Sequence, residues 1–328
     1  MLVSRKKECA HLVRLLRAGP QVLVVGPAGC GKSAVAAAAA QDMGGAVVRA
    51  DLSQVADPAG LVHAVNRVLG PLGRDAHRPD VLIAEDCERL TPGCTDALTA
   101  VTVERHGLRV VATSRRRLPG MLTMQLDPLP PAAAAAFFAR AAERHGAPVA
   151  ATEAARTAVD EVCTLLDGRP LALNIAAAQL RRHPLPELPR RLLADHAACL
   201  DLADDRTGPA PPPPHHRSLR RAITVSHRLC SRSERRLWAR LSVFPREFTV
   251  PAAWRVCADE RLTGAVLLQA LRGLQRDSVV EPVPDGVPGT RYRLPPLERA
   301  YGADRLARTD EESELRRRCK EWSVTARS

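Results

Sequence analysis

The stretch Gly26-Pro27-Ala28-Gly29-Cys30-Gly31-Lys32-Ser33 sets glycines, a lysine and a hydroxyl in the spacing G-x-x-x-x-G-K-[ST]. Glycines let the main chain curl so that successive N–H groups point inward at phosphate oxygens. Lys32 would reach the β- and γ-phosphates as a point charge, and the Ser33 hydroxyl would ligate magnesium. The apolar run Val22–Val25 reads as a strand and Ala34–Ala40 as a helix, so a helix N-terminus adds its positive end at the same spot. Gly26, Pro27, Ala28, Gly29, Cys30, Gly31, Lys32, Ser33 and Ala34 are therefore the expected phosphate-binding segment.

A magnesium ion held by one hydroxyl and phosphate oxygens needs a carboxylate nearby. The run VLIAED supplies it. Glu85 and Asp86 stand where a buried strand emerges at its C-terminal edge, the side on which doubly wound sheets bind ligands. With Ser33 they are the expected metal ligands. The run LRVVATSR ends at the same edge in Thr113-Ser114-Arg115, and a guanidinium forks across two phosphate oxygens. Arg115, Glu85 and Asp86 are thus the expected catalytic residues. A further strand, AVVRADL, lies between the glycine-rich and acidic motifs. It leaves room for the catalytic strand to insert beside the phosphate-loop strand, as in ATPases rather than simple nucleotide kinases.

Short β-rich runs (QVLVV, AVVRADL, VLIAED, LRVVATS, MLTMQL) alternate with helical stretches such as LVHAVNRVLG over residues 1–127. That alternation predicts an α/β fold, a parallel P-loop NTPase sheet with crossover helices. Residues 128–204 read as a small all-helical domain whose first helices end at Gly146 and Gly168. Residues 205–217, with Pro211–Pro214 consecutive, read as an extended linker. In residues 218–308, Ser218–Leu229, Ser233–Val243 and Thr263–Gln275 read as helices. SVVEPVPDGVPGTRYRL follows as two strands around a Gly/Pro turn, which completes the parts of a winged-helix domain. Residues 309–328 begin a further helix.

A length of 328 residues with 45% hydrophobic content suits two or three domains. The formal charge is +12, yet Lys6, Lys7, Lys32 and Lys320 are the only lysines. With abundant alanine and proline, the arginine bias reads as codon usage in a GC-rich genome. Arg115–Arg117 and Arg316–Arg318 then read as solvated faces or acidic-partner contacts rather than nucleic-acid grooves. Nine cysteines without a CxxC pair or metal-like Cys/His spacing point to reduced thiols in a cytoplasm, without zinc. The first residues, MLVSRKKECAHLVRLL, lack the continuous apolar core and small-residue cleavage site of a signal peptide, and no uninterrupted apolar span of about 18 residues occurs, so a soluble, intracellular protein without membrane contact is expected.

Several segments together resemble one family: LVSRKKE, GPAGCGKS, VLIAEDCERL, LRVVATSRRRL, LLDGRPLALNIAAAQLR, HHRSLRRAI, RRLWARLSVFPREFTVPAAWRVC and RYRLPPLERAYGADRL. They are similar to the NB-ARC class of STAND nucleotide-binding switches, in particular the ATPase core of actinobacterial regulators with LuxR-type or SARP-type DNA-binding domains. The segments follow the family's order over nearly the whole chain, and Gly168-Arg169-Pro170 with the winged-helix segment is the more specific part. The resemblance implies a nucleotide-binding domain, a helical domain and a winged helix that close over ATP or ADP with Mg2+. It implies that Pro170 packs on the adenine and that Arg5 lies in the segment bordering the base. It implies a switch driven by contacts to the γ-phosphate, with hydrolysis as a weak ATPase timer, and a nucleotide-dependent oligomer.

Three positions depart from the family pattern. Glu85 stands where aspartate is usual, so hydrolysis is expected to be slow. Pro295-Pro296 stands where many members place histidine and aspartate, and Ser4 where glycine is common. The flanking modules that usually accompany this core, an effector or DNA-binding domain ahead and TPR-like repeats behind, are not among these residues. The reading therefore expects a protein partner, or a longer regulator of which this is part. Two other classes remain. One is direct DNA binding through Leu262–Arg276, which offers Gln269, Arg272, Gln275 and Arg276. The other is a small-molecule kinase, against which counts the lack of a second constellation such as HRD or GxSxG.

Overall fold

The structure, a computed structural model, describes residues 3–70, 81–194, 200–201, 218–283 and 291–325. It divides into two compact units, Met1–Asp127 and Pro128–Ser328.

The first unit runs α1 (Lys6–Ala18), β1 (Gln21–Val25), α2 (Lys32–Met43), β2 (Val47–Asp51), α3 (Pro58–Leu69), β3 (Val81–Glu85), α4 (Pro92–Glu104), β4 (Arg109–Ser114) and β5 (Leu122–Gln125). The strands pair in parallel in the order β2-β3-β4-β1-β5. The strand inserted beside β1 is therefore β4, with Val24 opposite Thr113 and Val25 opposite Ser114. The acidic strand β3 stands one place further out.

The three central strands β1, β3 and β4 are covered on both faces, so they are near-continuous apolar runs rather than alternating ones, while the edge strands β2 and β5 are largely exposed. Val22, Val24, Ile83 and Val111 share a buried cluster with Leu12 and Leu16 of α1 and Val35, Ala36 and Ala39 of α2. Leu23, Val25, Leu82, Ala84, Val110 and Ala112 share another with Leu61 and Val65 of α3 and Leu98 of α4. The period-two alternation of β side chains thus sends neighbouring residues into opposite cores. Each fully buried valine or leucine stabilises the fold by about 1.5–3 kcal/mol. The start of α3 is set by Asp57, whose carboxylate accepts the Gly60 N–H at 2.9 Å, with Pro58 following.

The second unit runs α5 (Pro131–Arg144), α6 (Glu153–Leu165), α7 (Pro170–Gln179), α8 (Leu188–Ala194), α9 (Leu219–Leu229), α10 (Arg232–Leu241), β6 (Glu247–Thr249), α11 (Val250–Cys257), α12 (Gly264–Arg276), β7 (Glu281–Val283), β8 (Arg291–Arg293), α13 (Pro296–Leu306) and α14 (Glu312–Thr325). The short strands form an antiparallel sheet ordered β6-β8-β7. The linker read at 205–217 and the turn read at 284–290 lie outside the described residues.

The sequence reading lacks α11, α13 and β6. A run of eight residues is too short to show a helical period, yet Ala252, Ala253, Val256 and Cys257 bury one face. The Thr249 hydroxyl accepts the Ala252 N–H at 3.3 Å and fixes the helix start. The end of α6 also differs from expectation. Gly146 (φ 75°) does follow α5, but after α6 the first left-handed residue is Asp167 (φ 54°), one position before Gly168 (φ 58°). Aspartate tolerates this conformation, and Arg293 Nη1 lies 3.3 Å from its carboxylate.

One buried cluster joins Phe138 and Leu173 to Trp238, Leu271 and Tyr301, so residues 128–194 and 218–325 share a core. A Cβ on Gly302 would lie 2.9 Å from the Trp238 carbonyl oxygen, which lets α13 approach α10 closely. The His227 ring lies 5.6 Å from Trp238 and 5.3 Å from Tyr301. Burial, then the Arg305 and Arg235 charges, push the His227 imidazole down to about 4. The unfolded chain takes this proton near its ordinary pKa of about 6.5, the folded chain only near 4. Stability from this group is therefore present above about pH 6.5 and lost as pH falls toward 4. We expect Tm to drop between about pH 7 and pH 5.5, and His227→Phe to flatten that slope; an equally steep slope in the variant would contradict the assignment.

Candidate functional site

The loop between β1 and α2 turns on Gly29 (φ 74°) and Gly31 (φ 97°), both left-handed. Gly26 is required for a different reason. A Cβ there would lie 2.3 Å from the Leu126 main-chain oxygen. Its own N–H donates to the Ser114 carbonyl at 3.3 Å, which ties the loop to the end of β4.

Lys32 opens α2, and its ammonium donates to the Gly26 carbonyl at 2.9 Å and the Pro27 carbonyl at 3.0 Å. Burial, then the Arg115 guanidinium, hold Lys32 down to about 8, against the opposing pull of Glu88 and Asp86. A cation desolvated on carbonyls and facing a second cation is stabilised by an anion placed between them. The cradle thus fits a phosphate chain. Ser33 is half-buried at the second residue of α2, Ala34 is exposed beside it, and Ala28 and Cys30 are buried. The Cys30 thiol donates to the Leu126 carbonyl at 3.1 Å. Arg5 is 4% exposed and donates to the Asp127 carbonyl at 2.6 Å and the Cys30 carbonyl at 3.3 Å. The N-terminal segment is thereby fastened to the phosphate loop.

At the β3 edge the acidic pair separates. Glu85 lies 4.0 Å from Arg49 on β2. Asp86 is left-handed (φ 55°), uncommon for a side-chain-bearing residue, and its N–H donates to the Thr113 hydroxyl at 3.3 Å. The Asp86 charge is felt at Lys32. Both offer the hard oxygen donors that magnesium takes.

Arg115 is 5% exposed, not a surface arginine. Its N–H donates to Glu88 Oε1 at 3.1 Å, and its Nε lies 3.4 Å from the same oxygen. Glu88 is absent from the sequence reading. The available signal is a charge one turn beyond Glu85, between Cys87 and Leu90, both buried.

Pro170 belongs to the second unit, where it is the first residue of α7 behind the N-cap Arg169. Arg169 makes a bidentate pair with Glu298, 2.6 Å on each arm, and both are buried. In the same unit Cys230, Glu234 and Asp277 offer ligand atoms within 4.8 Å of one another. Their carboxylates have structural roles. Glu234 accepts the Ser231 N–H as half of a capping box, and Asp277 pairs with Arg276 at 2.9 Å.

A parallel sheet with β4 between the loop strand and the acidic strand, and a lysine at the mouth of a glycine loop, defines a P-loop ATPase. Residues 22–106 match the profile of the "ATPase family associated with various cellular activities (AAA)". The first unit carries an AAA-type P-loop ATPase domain, a fold that implies nucleotide binding.

The chain is similar to the "Putative HTH-type transcriptional regulator Rv0890c" of Mycobacterium tuberculosis, 30% identical over 244 residues, covering 72% of this chain and 26% of that protein. It thus spans about a quarter of the length of that regulator. It is also similar to "Uncharacterized protein Rv0894" of the same organism, 29% identical over 332 residues, covering 94% of this chain and 82% of that one. Among solved structures it is similar to the STAND protein PH0952 with a tetratricopeptide repeat sensor from Pyrococcus horikoshii. The TM-score is 0.41 at 15% identity, over 100% of this chain and 46% of that one. It is also similar to Drosophila ORC bound to DNA, with a TM-score of 0.45 at 12% identity, over 89% of this chain and 92% of that one. Among the described residues no helix is long and apolar enough to cross a membrane.

Proposed function

We propose that the chain is an ATP/ADP-binding switch of the NB-ARC kind, with slow ATP hydrolysis, acting in signal transduction or transcriptional regulation through a protein partner. The observation that carries this reading is the Lys32 ammonium, buried on the carbonyls of its own loop with the Arg115 charge beside it. Lys32 and the loop N–H groups hold the phosphates, and Arg115 meets the γ-phosphate. Ser33, Glu85 and Asp86 hold magnesium, which when bound neutralises phosphate charge. Arg5 borders the base. The antiparallel β6-β8-β7 sheet with α10 and α12 supports a winged-helix reading of residues 218–308. The relatives named as HTH-type regulators support the transcriptional setting.

The test is the nucleotide released from purified protein on gentle denaturation, identified by mass spectrometry. ADP near one per chain supports a resting switch. Protein that neither carries nor takes up adenine nucleotide refutes it.

Glu85→Gln is expected to spare nucleotide affinity and slow turnover by about tenfold or more, measured as phosphate release in single turnover. Wild-type turnover would remove Glu85 from the chemistry.

A second reading, direct DNA binding, is favoured by one feature: Leu268, Gln269, Arg272 and Gln275 are exposed along one face of α12. Duplex DNA binding that weakens steeply with salt and is lost in Arg272→Ala would support it.

A further inference from the structure

Lys32, Arg115 and Glu88 are 9%, 5% and 4% exposed, so two cations and one anion are enclosed together at the phosphate loop. Like charges shut away from water repel strongly unless a counter-charge lies among them. Glu88 supplies it. One carboxylate oxygen accepts the Arg115 N–H at 3.1 Å and lies 3.4 Å from Arg115 Nε, and the same charge acts on Lys32. The carboxylate is placed by a single helical turn, Cys87–Arg89, entered through the left-handed Asp86.

We propose that Glu88 is a specificity-determining residue, an internal anion that holds the Arg115 guanidinium when no γ-phosphate is present and so lowers the site's preference for triphosphate over diphosphate. The inference rests on the reading of this loop as an adenine-nucleotide site. A diphosphate leaves the Arg115–Glu88 pair intact. A γ-phosphate must draw the guanidinium from the carboxylate or share it. The identity of the bound nucleotide is thereby passed to the turn that follows β3. This differs from a purely structural role, in which Glu88 only receives the main-chain N–H at the end of β4.

Glu88→Gln separates the two, because the amide oxygen still accepts that N–H while the charge is gone. Full-length protein is titrated calorimetrically with Mg·ADP and with the non-hydrolysable β,γ-imido analogue of Mg·ATP. Glu88→Gln is expected to raise the preference for the triphosphate analogue over ADP by about tenfold, the equivalent of one pKa unit of charge interaction. In an Arg115→Gln background the same change is expected to leave that ratio unaltered. Glu88→Asp, which withdraws the carboxylate by one methylene, moves the ratio in the same direction by a smaller factor, and serves if the glutamine variant does not fold. A structural role changes both affinities together, and an unmoved ratio overturns the proposal. Wild-type protein that binds neither nucleotide overturns the nucleotide reading itself; wild-type protein that binds both, with the ratio unmoved by Glu88→Gln, overturns the role of Glu88 alone.

Discussion

Lys32→Ala lowers the affinity for both Mg·ATP and Mg·ADP by about a hundredfold or more while leaving the nucleotide-free protein as stable as wild type. The first part follows from loss of the only lysine at the loop, a charge-assisted donor to the phosphate chain; a hundredfold is about 2.8 kcal/mol. The second part follows from where the ammonium sits. It bonds main-chain carbonyls of its own loop and is desolvated enough to be held down to about 8. Removing a desolvated cation from beside Arg115 relieves repulsion, which offsets the lost hydrogen bonds. Calorimetric titration read alongside thermal melting checks both. Undiminished affinity, or a large fall in Tm, would contradict the placement.

Glu298→Ala and Arg169→Ala each destabilise the second unit by about 3–5 kcal/mol, because each leaves an uncompensated buried charge. Arg169 is 1% exposed and Glu298 3%, and their two 2.6 Å contacts join residues 129 positions apart. Burial opposes the Arg169 charge, and the Glu298 and Asp167 carboxylates outweigh it and hold the guanidinium cationic. Arg293 continues the network to Asp167 at 3.3 Å and to Glu281 at 2.6 Å. The Glu298 carbonyl also accepts the Trp238 indole N–H at 2.8 Å. For a unit of this size the expected loss is about 10 °C in Tm. The double change Arg169→Met with Glu298→Leu recovers most of it, since a well-packed apolar pair replaces an ion pair at little net cost. Urea unfolding followed by tryptophan fluorescence measures all three variants. A single variant as stable as wild type would show that the pair is not buried as described.

Local chemistry was legible in the sequence because it is written locally. The glycine-lysine-serine spacing, the apolar runs of β1, β3 and β4, and the acidic and basic residues at their ends fall where the structure has them. Partnership across the fold was not legible. Nothing local singles out Glu88, which meets Arg115, 27 residues away, only because β4 is placed beside β3. Glu85 and Asp86 are adjacent in sequence, yet the left-handed turn at Asp86 separates their surroundings. In the sequence, Pro295-Pro296 stands where many members of the resembled family place histidine and aspartate, and neither proline can hold a β-phosphate through a side chain. In the structure Pro295 is the N-cap of α13 and Pro296 its first residue. Proline suits that position, where the missing N–H has no partner to lose. The helix so begun carries Glu298 to Arg169, an ion pair that no local pattern announces.

The most direct test of the account is calorimetric titration of nucleotide-stripped, folded wild-type protein with Mg·ATP and Mg·ADP. The account predicts saturable binding of both at one nucleotide per chain, weakened by about a hundredfold or more in Lys32→Ala. Absence of heat from either nucleotide, with the protein shown to be folded by its melting transition, would contradict it.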